Sequence, residues 1–244
     1  MLLSILQGGD PKEIIVSLLL SLPVILFALS LHETAHGYVA YKCGDPTAHN
    51  LGRLTLNPIK HFDLIGSICM LVFGFGWAKP VPINTRNFRN PKRGMILSAA
   101  AGPASNLILG IVSAILFGAS SAYYSYLFYT VGEGAFLCTA AYYLTTLFLL
   151  GAYYNFFLAT FNLIPIPPFD GSRIMLGFLP TNIYFKIMRY ERQIMYGILI
   201  ALLVLSYFDI SPFGWIADKL TYGVGSPVSD LLWESVFLPM LKAK

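Results

Sequence analysis

The fold is decided by IIVSLLLSLPVILFALSLHETAHGYVAY, residues Ile14–Tyr41. A helix needs about 20 predominantly apolar residues to cross the hydrocarbon core of a bilayer. This run supplies them, with Pro23 as an expected kink. Yet His32, Glu33 and His36 sit inside it. Ionisable side chains within an apolar span are costly, so each marks a functional site by default. His32 and His36 are four positions apart, which puts both imidazoles on one helix face. Both can then reach one metal ion at the roughly 2.0–2.1 Å that zinc–nitrogen bonds require. Glu33 is offset by about 100° from His32 on the helix. Its carboxylate lies beside the ligands, where a general base acting on water belongs.

The rest of the chain carries the same signature. Of its 244 residues 56% are hydrophobic and 11% charged, with a mean hydropathy of +0.66. Soluble domains carry roughly 25% charged residues, so a water-soluble globule is excluded. The net charge of +4 reports topology and not a nucleic-acid partner. Cys43, Cys69 and Cys138 are odd in number and form no CxxC, so neither a disulfide framework nor a cysteine zinc finger is expected. No basic stretch precedes the first apolar run, so no cleavable signal peptide is expected. Further spans are expected at Met95–Ser121, Phe136–Leu163 and Ile194–Phe208, the last one short. Leu64–Gly76 is too short and glycine-rich for a span and suits a re-entrant segment. Residues 211–241 read as interfacial helices or additional spans. The expected architecture is an all-α polytopic membrane protein of about four to six transmembrane helices with a short re-entrant or β-hairpin segment near the site. It forms one domain over 1–244, with a core at about 14–175 and C-terminal helices at about 190–244.

Basic residues set the orientation. Lys42, Arg53 and Lys60 follow the first span; Lys79, Arg86, Arg89, Lys92 and Arg93 precede the second; Arg173, Lys186, Arg189 and Arg192 follow the third. The connection Ser121–Phe136 holds only Glu133. The N-terminus is therefore expected outside and the charged connections in the cytoplasm. His36 lies six positions before Lys42, about 9 Å along a helix. The site should sit in the hydrocarbon region, toward the cytoplasmic face of the cell (plasma) membrane.

Zinc held by two histidines needs a third protein ligand and an open position. Asp170 is the best candidate, in Asn162-Leu-Ile-Pro-Ile-Pro-Pro-Phe-Asp170-Gly171 at the cytoplasmic end of the third span. Three prolines break the helix there, and broken backbone at membrane depth is tolerated where it lines protein or a wet cavity. Asp10, Glu13 and Glu133 are on the wrong side, and Asp45 and Asp63 lie in charged loops.

Together these stretches resemble the site-2 protease family of intramembrane metalloproteases. The match rests on His32–Gly37, Gly52–His61, Gly74–Asn84, Ala101–Asn106 and Asn162–Gly171. It is similar to the compact branch, without a PDZ or CBS domain. The resemblance implies one zinc ion held by His32, His36 and Asp170, with Glu33 as catalytic acid and base. It implies that Asn162 binds substrate or stabilises the oxyanion, and that Asn106 is a packing or substrate-edge residue. His49 and His61 are taken as structural or gating residues. The implied substrate is a transmembrane helix of another membrane protein, locally unwound and cleaved within or near its span. Residues 75–84 alternate with Gly and Pro and read as an extended edge that pairs with it by strand addition. The competing class is a zinc-binding membrane protein without proteolysis, a metal transporter or an inactive scaffold. Transporters carry ionisable residues along a path, often in repeated halves; here they gather at one depth and no repeat is visible.

Overall fold

Asn90 and Pro91 open the longest helix of the molecule. The Asn90 side chain accepts from the Arg93 N–H at 3.0 Å, and proline at the first helical position has no N–H to leave unpaired. The computed structural model describes residues 11–64, 66, 78–207 and 212–242. Its helices are α1 (Pro11–Lys42), α2 (Thr47–Asn50), α3 (Pro91–Val131), α4 (Phe136–Asn162), α5 (Asp170–Leu176), α6 (Thr181–Met188), α7 (Glu191–Tyr207), α8 (Pro212–Leu232) and α9 (Leu238–Lys242). Short 3₁₀ turns at Pro58–His61 and Thr85–Asn87 and a π-helical turn at Trp233–Phe237 complete the described elements. No described residue is in a β-strand.

Among the described residues three helices are long and apolar enough to cross a membrane: Ile15–Lys42, Pro91–Val131 and Phe136–Asn162. The expected fourth span forms as α7, of 17 residues, at the lower end of the length a bilayer asks for. Pro23 lies inside α1, which continues through it. The second span was expected to end at Ser121, but α3 runs ten residues further to Val131. The reason is aromatic packing. Tyr124 contacts Tyr142, Tyr126 stacks on Phe237 at 5.2 Å, and Tyr129 meets Trp233. Gly132, at φ +86°, then takes the left-handed conformation that stops helices. The re-entrant segment expected at Leu64–Gly76 lies outside the described residues but for 64 and 66. Of the expected edge at 75–84, residues 75–77 also lie outside them. Residues 78–84 are irregular and form no ladder.

The chain divides into two compact units. The first, residues 1–106 and 158–212, holds α1, α2, the start of α3 and α5 to α7. Its buried groups include His32, Asp45, His61, Ser98, Asn106 and Asp170. The second, residues 107–157 and 213–244, is packed from small residues and rings. Ala114, Ala152, Phe156 and Ala217 form its core. A Cβ at Gly118 would run into the Gly225 carbonyl and lie 2.9 Å from Val228 Cβ, so two helices meet there backbone to backbone.

Candidate metal centre

Helix α1 presents His32 and His36 on one face, with their Nε2 atoms 2.9 Å apart. Asp170, the first residue of α5, brings Oδ2 to 3.1 Å from each. All three are buried, at 5%, 7% and 9% exposure, and they form a group able to hold a metal ion. Asp170 reaches this point because the proline-rich run folds back sharply. A side chain at Gly171 would collide with the backbone of Leu163 and Ile164, so only glycine permits the approach. Phe169 packs edge-on against Phe161 at 4.5 Å and anchors the turn.

The other ring nitrogens are held by one face of α3. His36 Nδ1 donates to the Ser98 carbonyl at 2.7 Å, and the Ser98 hydroxyl donates to the His36 carbonyl at 3.1 Å. His32 Nδ1 lies 2.5 Å from Asn106 Oδ1. The Asn106 amide donates its N–H to the Ala28 carbonyl at 3.3 Å, which fixes its oxygen toward His32. Ser98, Gly102 and Asn106 are spaced by four, one stripe of a helix. A Cβ at Gly102 would lie 2.6 Å from His32 Nε2, so this glycine makes room for the imidazoles.

These contacts decide the chemistry of the donor set. Ser98 O and Asn106 Oδ1 only accept, so both Nδ1 atoms carry the proton and both Nε2 atoms present lone pairs. Two imidazole nitrogens and a carboxylate oxygen converge within 3.1 Å of one another. A cation satisfies that arrangement. Ligands at roughly 2.0–2.1 Å on a tetrahedron lie about 3.3 Å apart, close to the separations found. Nitrogen and oxygen donors of this kind, oriented by outer hydrogen bonds, suit zinc.

Glu33 is half-buried beside them, and its Oε2 accepts the Val81 N–H at 2.8 Å. The 78–84 segment thus reaches the site, although it forms no strand. Its far end is pinned by Asp45, which accepts from the Asn84 N–H at 2.7 Å, the Asn87 amide at 2.8 Å and the Thr47 N–H and hydroxyl. Burial alone would raise the Asp45 carboxyl; these four hydrogen bonds outweigh it and hold the carboxyl below its ordinary 3.8. A cavity of about 180 Å³ lies against His36, lined also by Ile83, Thr85, Met95, Ser98, Ala99 and Arg173.

The remaining sequence candidates fall elsewhere. Asn162 donates an amide N–H to the Leu158 carbonyl at 3.0 Å, within its own helix, and is not among the converging donors. His61 is buried and hydrogen-bonds the Thr55 carbonyl at 2.8 Å. His49 stacks on Tyr41 at 4.9 Å. Asn106, expected at a packing or substrate-edge position, instead contacts His32. Sequence reading passed over Gly37, Gly102, Ser98 and Val81. The glycines had a signal: each lies within or beside a motif.

Comparisons with known proteins identify the family. A relative in Bacillus subtilis, "Putative zinc metalloprotease YwhC", is 36% identical over 217 residues, covering 89% of this chain and 92% of its own. Rip2 of Mycolicibacterium smegmatis is 28% identical, over 60% of this chain and 52% of its own. MJ0611 of Methanocaldococcus jannaschii is 29% identical, over 68% and 73%. Both carry the same designation. No solved structure matches the chain. The family model of peptidase family M50 matches residues 20–206, a stretch that contains both histidines, Glu33, Asn106 and Asp170. With more than half its length inside that match, the chain belongs to peptidase family M50, the site-2 protease family its motifs resemble.

Proposed function

We propose that this chain is an intramembrane zinc endopeptidase that cleaves transmembrane helices of other membrane proteins near the cytoplasmic face. The observation that carries the reading is the convergence of His32 Nε2 and His36 Nε2 of the apolar helix α1 with Oδ2 of Asp170, at the start of α5. These three residues would hold one zinc ion. Bound there, zinc supplies a Lewis acid that polarises the scissile carbonyl and renders water acidic enough to attack at neutral pH.

The protein's own groups do the rest. Glu33 Oε2 is held by the Val81 N–H, which leaves Oε1 to take a proton from the attacking water and return it to the leaving amine. Asn162 has a second amide N–H beyond the one given to Leu158, and we assign it to a substrate carbonyl, where such a donor is worth about 3–4 kcal/mol in the transition state. A helical substrate presents carbonyls already bonded, so it must unwind. The 78–84 edge offers backbone for strand addition, and the cavity beside His36 gives a substrate side chain space. The basic residues after the first and third spans favour a cytoplasmic opening.

The test uses purified protein in nanodiscs. Wild type should bind one zinc ion and cleave a membrane-helix substrate. Glu33→Gln should keep the zinc and lose about 10²–10⁴-fold in rate; full activity in that variant would remove Glu33 from the mechanism. Asp170→Ala should lose zinc affinity, and unchanged metal content would show that another residue completes the shell. Metal flux into liposomes without cleavage would replace the reading with a transporter.

A further inference from the structure

We propose that Arg53 is a positioning residue that holds the catalytic carboxylate through the backbone of residues 79–81. The inference rests on Glu33 being the proton carrier, as above. It starts from a small helix cap. Gly52, at φ +62°, reverses the chain after α2, with the Gly52 N–H on the His49 carbonyl and the Arg53 N–H on the Ala48 carbonyl, each at 2.9 Å. That pairing is the Schellman pattern. It turns the Arg53 side chain toward the 78–84 segment, where Nη2 donates to the Lys79 carbonyl at 2.9 Å and the Pro80 carbonyl at 3.3 Å.

The second of those carbonyls shares its peptide plane with the Val81 N–H. Pro80 and Pro82 have no N–H, so across 80–82 the Val81 N–H is the single backbone proton available. It goes to Glu33 Oε2. The Lys79 N–H is already bound to the His61 carbonyl at 2.8 Å. Gly37 lets the segment come this close: a Cβ there would lie 2.9 Å from Val81 Cγ1. Arg53 thereby fixes the peptide plane whose N–H aims at Glu33. A planar guanidinium can hold two successive carbonyls, whereas lysine offers a point charge.

The clamp is read by hydrogen exchange at the Val81 amide and by steady-state kinetics, both on the full-length protein in nanodiscs. Arg53→Ala should speed Val81 exchange by about tenfold or more. It should lower kcat by about 10- to 100-fold, with zinc content, KM and melting temperature near wild type. Arg53→Lys should fall between. Val81→Pro, which deletes the N–H, should give the same kcat loss, and the double variant should be no worse than either single one. Unchanged Val81 exchange in Arg53→Ala overturns the proposal, as does a kcat loss that tracks lost zinc or lowered melting temperature. Additive losses in the double variant would also overturn it. If wild type binds zinc but cleaves nothing, the proteolytic reading fails, and Val81 exchange alone still decides whether Arg53 holds the segment.

Discussion

The two compact units differ in how far their polar side chains reach: the first adds long-range hydrogen bonds to local ones such as that of Asn162 to Leu158. In the first, buried polar groups reach far along the sequence: His32 to Asn106, 74 positions away, and to Asp170, 138 away. Asp45 ties residues 39 and 42 positions downstream. In the second, the hydroxyls of Thr130, Thr145 and Thr146 donate to carbonyls of their own helices, one turn back. Cohesion there comes from rings and from glycine contacts such as Gly118 on Gly225. A side chain bonded to its own helix specifies nothing about tertiary position. One bonded across the fold specifies it closely. The first unit is built to hold atoms in register, the second to pack.

That contrast can be broken at three places, in decreasing order of effect. Asn106→Leu removes the acceptor of the His32 Nδ1 proton and should weaken zinc binding by about 10- to 100-fold, measured by competition with a chelator; an unchanged affinity would reduce Asn106 to packing. Gly118→Val should overpack the second unit and cost about 1–3 kcal/mol in thermal unfolding, while zinc affinity holds. A loss of zinc in that variant would erase the distinction between the units. The smallest effect concerns acid. The Asp45 carboxyl is lowered in the folded chain, so its contribution is complete above the ordinary value of 3.8 and is lost as pH falls through the lowered one. Acid titration followed at Asn84 and Asn87 should show this loss in wild type. Asp45→Asn should flatten it.

Local pattern explains what the sequence made legible. The spacing of His32 and His36 and the broken run before Asp170 are each written within ten residues. The partnership of those groups with α3 is not. Nothing near Asn106 or Ser98 says which imidazole each meets, because that depends on where one long helix crosses another. Val81 was equally hidden, since its contribution is a backbone N–H and not a side chain. The aromatic extension of α3 was missed because Tyr123 to Val131 reads as a polar-tipped boundary until its partners around Trp233 and Phe237 are in place.

The 138 positions between His32 and Asp170 have a bearing on biogenesis. A nascent chain inserts α1 early, with two donors in place and the third still unmade. The centre closes only after α3 and α4 have entered the bilayer and the turn at Gly171 has folded back. Until then the three donors of the proposed zinc site, His32, His36 and Asp170, cannot come together on the growing chain.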